Sequence, residues 1–166
     1  MVKWKTIIIF ALVVIIGIFT VIYFFQSEKS KVKKRFKLLA EWVSTEPGEN
    51  KLNRALKIQK IRTSFAKNCE LKTHIPSISG DYSPQEVSTL AASALSRFSK
   101  FSLRFYDLDI DIQKEGIAKV TFTATLTGKL IGEENLDETY ELESVLYKVQ
   151  NNWLFKSFEV IEVLKK

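Results

Sequence analysis

With 166 residues, 46% hydrophobic and 27% charged, the chain is long enough for one domain with a real core and too apolar to be disordered. A single cysteine, Cys69, excludes an intrachain disulfide and any cysteine-based metal cluster. The net charge of +6 is uneven: eleven Lys or Arg accompany four Glu between Glu28 and Arg62, whereas twelve acidic and seven basic residues follow from Asp107 onward. The basic stretch has no aromatic-interleaved motif and no helix-turn-helix signature, so no nucleic-acid partner is expected.

Thr6 to Phe25, TIIIFALVVIIGIFTVIYFF, is twenty residues without a charge. As a helix it would be about 30 Å long, the hydrocarbon thickness of a bilayer. A cleaved signal sequence would end in a small-x-small site, and Tyr23-Phe24-Phe25-Gln26 offers none. Residues 1–27 are therefore expected to form a short tail and an uncleaved single-pass anchor, with Trp4 and Tyr23 at the interfaces, and residues 28–166 the domain. Lys29, Lys31, Lys33, Lys34, Arg35 and Lys37 follow the span as a basic cluster suited to anionic head groups. They outnumber Lys3 and Lys5 before it, which by flanking charge puts the domain in the cytoplasm. Several of these cations belong to the first domain helix, however, which weakens the count.

That helix is expected over residues 30–45, where Val32, Phe36, Leu39 and Val43 share one side. Thr45-Glu46-Pro47-Gly48 ends it. A second helix is expected from an N-cap at Asn50 to Phe65, with two apolar arcs, Leu52 with Leu56 and Ile58 with Ile61 and Phe65. Cys69 to Ile75 reads as a short strand, followed by a turn-rich stretch through Pro76, Gly80 and Asp81. Ser83-Pro84-Gln85-Glu86 is a capping box with proline at the first helical position. The helix it opens is expected to bury Val87, Leu90, Ala91, Ala94 and Phe98.

From there on the pattern is strand. In AKVTFTATLTGKL, Val120, Phe122, Ala124, Leu126 and Leu130 share one face, while Lys119, Thr121, Thr123, Thr125, Thr127 and Lys129 share the other. The preceding strand, Leu103 to Ile112, changes phase near Tyr106-Asp107, which predicts a bulge and a bent sheet. Residues 137–149 and 153–164 add two strands joined at Gln150-Asn151-Asn152. The expected architecture is α+β: an N-terminal transmembrane helix, then three helices packed on a curved antiparallel four-stranded sheet to make a cone. This order, ending in VLYKVQNNWLFKSFEVIEVL, resembles the nuclear transport factor 2-like superfamily, also called SnoaL-like or cystatin-like. Its members commonly end in strand, polar turn, Trp and strand, as Trp153 does here.

The resemblance implies that an enzyme would carry Asp or His bases and Tyr donors inside the cone. His74, the only histidine, falls near the end of the first short strand and reads as a rim residue. The inward face of the Val120–Leu130 strand holds only Val, Phe, Ala and Leu, with no group able to act as a general base. Asp107, Asp109 and Asp111 open like a calcium loop, but Ile112 and Ala118 stand where that loop needs Gly and Glu. Glu138, Glu141 and Glu143 read as outer-face charge, and Gly116, Gly128 and Gly132 are too scattered to cradle a phosphate. No catalytic residue, metal site or cofactor is expected.

Two features could act without catalysis. Phe98, Phe105, Phe122, Leu126, Tyr140, Trp153 and Phe155 are expected to line the cone, which would accept an apolar ligand if hollow. Thr121, Thr123, Thr125 and Thr127 form an uncharged stripe suited to a dimer or partner contact. The leading expectation is a non-catalytic interaction or scaffold domain on a bacterial inner membrane, similar in architecture to the inner-membrane scaffold subunit of type IV secretion systems. That similarity puts the domain in the periplasm, with the cytoplasm as the alternative from charge. A binder of a small apolar molecule is the second reading, and an isomerase- or dehydratase-like enzyme the third.

Overall fold

The computed structural model describes residues 2–113, 116–132 and 135–165. The expectations placed on the side chains of Lys3, Trp4 and Lys5 lie outside the described residues. Helix α1 (Val2–Val43) runs without a break from the apolar segment into the domain. No glycine or proline falls between Phe25 and Val43, and Lys31 bonds back to Glu28 one turn earlier, so nothing interrupts the helix there. Among the described residues α1 is the one helix long and apolar enough to cross a membrane. Its segment from Leu12 to Tyr23 exposes apolar side chains all round, as a lipid-facing helix does.

The remaining elements are α2 (Lys51–Arg62), β1 (Phe65–Lys72), β2 (Gly80–Tyr82), α3 (Pro84–Leu95), β3 (Phe98–Gln113), β4 (Ile117–Leu130), β5 (Asn135–Val149) and β6 (Asn152–Lys165). Asn50 caps α2 by accepting from the Leu52 amide, and Ser83 and Glu86 form the expected capping box on α3. The sheet has six strands in the order β2-β1-β6-β5-β4-β3, which corrects the expected four. It is also mixed rather than antiparallel, because β1 pairs parallel to β6. The chain leaves α2 at Ser64, whose carbonyl accepts from the Phe155 amide, so β1 starts directly beside β6. Lys156 then reaches over to the Asn68 carbonyl. Pairing between strands so distant in sequence leaves no local pattern, and β2, with three residues, is too short to show a period of two.

The long strands bend where phase changes. Asp107 adopts φ 52°, and the β3–β4 register slips between Tyr106 and Asp109. Three further slips along β5–β6 deepen the curl. On the concave side Val32, Phe36, Leu39 and Trp42 of α1 pack with Val120, Phe122 and Ala124 of β4, Leu146 of β5, and Trp153 and Phe155 of β6. Expected core positions on both α3 and α2 are corrected. Leu90 and Ala94 of α3 face outward, because the helix turns Val87, Ser88 and Leu95 inward instead. On α2, Ile61 is buried, whereas the Leu52–Leu56 arc is exposed. Cys69 is fully buried, and that burial pushes its thiol up to about 12, so it is an unreactive core side chain.

Candidate functional site

The β4–β5 register is regular throughout, which fixes every side chain of both strands to one face. Even-numbered residues face the cone and odd-numbered ones face out. Two rows cross the concave sheet side by side. One runs Phe105, Ala124, Tyr140, Val163, and the other runs Leu103, Leu126, Glu138. Deeper in, Phe36 stands at the centre of an aromatic cluster, with ring centroids 5.3, 4.9 and 5.1 Å from Phe105, Phe122 and Phe155. Edge-to-face packing of this kind leaves no room for a guest.

The expected cone lining therefore splits. Phe122, Trp153 and Phe155 are buried core, and Phe98 packs on Phe101 at the start of β3 with centroids 4.8 Å apart. Gly128 allows that packing, since a Cβ there would meet the Phe98 ring at 2.9 Å. Only Phe105, Leu126 and Tyr140 remain half-buried on the concave face. Access lies instead beside the cone, in a groove of about 560 Å³ between α1 and the edge strand β3. Phe36 and Ala40 of α1 and Leu103, Phe105 and Leu108 of β3 supply its apolar surface. Lys33, Lys34 and Lys37 on the helix, with Arg104 and Tyr106 on the strand, supply the polar lining. The bulge at Asp107 brings Leu108 onto the same side as Leu103 and Phe105, so the irregular strand builds this wall.

Glu138 was expected on the outer face, and the structure corrects this. It opposes Leu126, shares the concave face with Tyr140, and accepts a hydrogen bond from the Tyr140 hydroxyl. Burial, then the bond to Glu138, raises the Tyr140 phenol to about 12. A second carboxylate, Glu28, lies buried where α1 enters the domain. It accepts from Trp153 Nε1 at 2.9 Å, Lys31 Nζ at 2.8 Å and Lys148 Nζ at 3.0 Å. Burial works to raise its pKa, but these three donors outweigh it and hold the carboxyl below its ordinary value. Both carboxylates were legible. Glu138 has the parity of Tyr140, and Glu28 sits one turn before Val32 on the stripe that includes Phe36.

The basic cluster divides by role. Lys31 is tied to Glu28, Arg35 donates to Asn152 Oδ1 at 2.8 Å, Lys33, Lys34 and Lys37 line the groove, and Lys29 is exposed. The threonine stripe lies on the convex face as expected, but its neighbours are charged. Thr121 sits between Asp109 and Glu143, Thr123 between Tyr106 and Glu141, and Thr125 between Arg104 and Thr139; Thr127 pairs with Ser102 and Asp137. Asp107, Asp109, Asp111 and His74 are all exposed. Among the described residues no three His, Cys, Asp or Glu side chains are grouped to hold a metal ion.

No family model matches the chain, and no curated protein sequence matches it. Solved structures do. The Kfla4162 protein of Kribbella flavida superposes with a TM-score of 0.70 at 7% identity, over 84% of this chain and 92% of that one. A putative scytalone dehydratase of Novosphingobium aromaticivorans gives 0.65 at 14% identity, over 85% and 89%. The hexachlorocyclohexane dehydrochlorinase LinA-type3 of Novosphingobium barchaimii gives 0.63 at 9% identity, over 85% and 91%. The fold is thus the nuclear transport factor 2-like one, as the order of elements and the Trp153 hairpin suggested. The leading functional expectation is overturned. The expected non-catalytic scaffold is contradicted by these counterparts, which include a putative scytalone dehydratase and a hexachlorocyclohexane dehydrochlorinase.

Proposed function

We propose that the domain, anchored by α1, binds a small and largely apolar molecule in the groove between α1 and β3. The observation that carries this reading is the groove itself, whose volume falls within the range of about 300–1,000 Å³ typical of small-molecule sites and whose wall is Phe36, Ala40, Leu103, Phe105 and Leu108. The fold supports it, since proteins of this shape include enzymes with small substrates. Ala40 is the position to test, because its small side chain keeps the groove open. A panel of drug-sized apolar compounds is expected to raise the melting temperature of the full chain in nanodiscs, a ligand at one hundred times its Kd adding about 2.7 kcal/mol. Ala40→Trp is expected to abolish that shift. A shift that survives the substitution would place the site elsewhere.

The Glu138–Tyr140 pair, which lies on β5 outside the groove, supports a second reading, in which the concave face exchanges a proton with a small molecule bound there instead. A carboxylate holding a phenol by hydrogen bond is a proton donor and acceptor pair in contact with half-buried apolar surface. It makes a direct prediction. Ultraviolet titration is expected to show one tyrosine ionising near pH 12, and Glu138→Gln is expected to bring it back toward 10. Because burial, then the bond to Glu138, raises the folded pKa, the contribution of the protonated phenol to stability is present below pH 10 and fades as pH climbs to about 12. A titration in which no tyrosine ionises near pH 12 would remove the pair from consideration.

A further inference from the structure

We infer that the groove's ligand is a single-chain anionic amphiphile, an alkyl chain ending in a carboxylate or phosphate, taken from the membrane surface. This rests on the reading of the groove as the ligand site. The chain would lie along Phe36, Ala40, Leu103 and Leu108, and the anion would sit among Lys33, Lys34 and Lys37. No acidic side chain lines the groove. Among the described residues none of these three lysines makes an ion pair, whereas Lys31, Lys57, Lys72, Lys100, Lys119, Lys148 and Lys165 each do. Lys33 and Lys37, one helical turn apart, repel one another unless an anion bridges them. Unpaired cations against an apolar wall match an amphiphile's two chemistries, since charge-assisted hydrogen bonds from ammonium groups suit a carboxylate or a phosphate.

Position supplies the source. Lys33 and Lys37 lie about 12 and 18 Å along α1 beyond Phe25, just outside the head-group layer of a bilayer that holds the apolar segment. On the opposite face of the sheet Glu143 stands across from Glu159 and Glu141 across from Glu162 in the register. Lys119 and Lys72 there are engaged with Glu143 and Glu159, as the groove lysines are not.

Photo-crosslinking in nanodiscs of zwitterionic phosphatidylcholine tests this with the full chain. Four diazirine probes share one alkyl chain and differ only in head group: carboxylate, phosphate monoester, alcohol and trimethylammonium. The two anionic probes are expected to label the segments containing Ala40 and Leu103 roughly tenfold more than the alcohol. The Lys33→Gln, Lys34→Gln, Lys37→Gln variant is expected to reduce them to the alcohol's level, with its melting temperature unchanged because all three side chains are exposed. Labelling by only one anionic probe also supports the inference and identifies the head group. Equal labelling by alcohol and anions would overturn the inference while leaving the groove as an apolar site. Labelling confined to the lipid-facing residues Leu12 to Tyr23, with none in the groove, would overturn both.

Discussion

Phe36→Ala is expected to destabilise the domain by about 3–5 kcal/mol, a large part of the roughly 5–15 kcal/mol that holds a typical domain folded. Phe36 is 1% exposed and touches three other aromatic rings edge to face. Those rings come from β3, β4 and β6, so one side chain of the anchor helix ties together three of the long strands. Truncation removes the apolar area of the ring and leaves a cavity that surrounding strands, held by their ladders, cannot close. Equilibrium denaturation of the full chain reads the effect as a lower midpoint at unchanged slope. A loss below about 1 kcal/mol would mean that the cone is not filled as described. Phe36 also lines the groove, so the same substitution is expected to enlarge it and admit bulkier ligands than the wild type does.

Glu28→Ala is the second large effect. The carboxylate is 3% exposed and joins α1 to the β5–β6 hairpin through Lys148 and Trp153. Removal leaves the buried Trp153 indole N–H without its acceptor and takes the carboxylate away from the Lys31 and Lys148 ammonium groups. The expected cost is about 2–4 kcal/mol, below the full figure for a buried pair because both lysines keep some contact with water. The pH dependence carries a sign that separates this from simple loss of packing. Because the folded pKa lies below its ordinary 4.5, the stabilisation is present above that value and is lost as pH falls through the folded pKa. Melting between pH 7 and 3 is expected to fall less steeply for Glu28→Gln than for the wild type. Parallel curves would show that Glu28 is not held in its charged form by these partners.

Much of this was legible in the sequence, and the failures have physical causes. The capping box at Ser83, the alternation of β4 and the bulge at Asp107 are local signals, and each stands where expected because residues within a few positions determine it. The parallel pairing of β1 with β6 depends on where α2 delivers the chain, which no window around Phe65 contains. The split of the cone lining was hidden for a similar reason. Periodicity places Phe105, Phe122 and Phe155 on the concave face, but only the position of α1 shows that Phe36 already fills the space between them. The groove likewise exists only between two elements distant in sequence. Glu138 is different: its alternation with Tyr140 was visible, and the expectation that glutamates in strands face water obscured it.

Charge pattern was readable in bulk and misleading in detail. Six cations after the apolar segment look like one solvated cluster, yet Lys31 and Arg35 are committed to the domain while Lys33, Lys34 and Lys37 turn to the groove. A helix surface of 3.6 residues per turn distributes neighbouring lysines over different sides, so adjacency in sequence does not mean a shared role.

The most direct test of the account is methyl NMR of the full chain in nanodiscs, titrated with a ligand drawn from the apolar panel. Saturable shifts are expected on the methyl groups of Ala40, Leu103 and Leu108, with Thr121, Thr123, Thr125 and Thr127 unmoved. Shifts centred on the threonine stripe, or absent from the groove at saturating ligand, would contradict it.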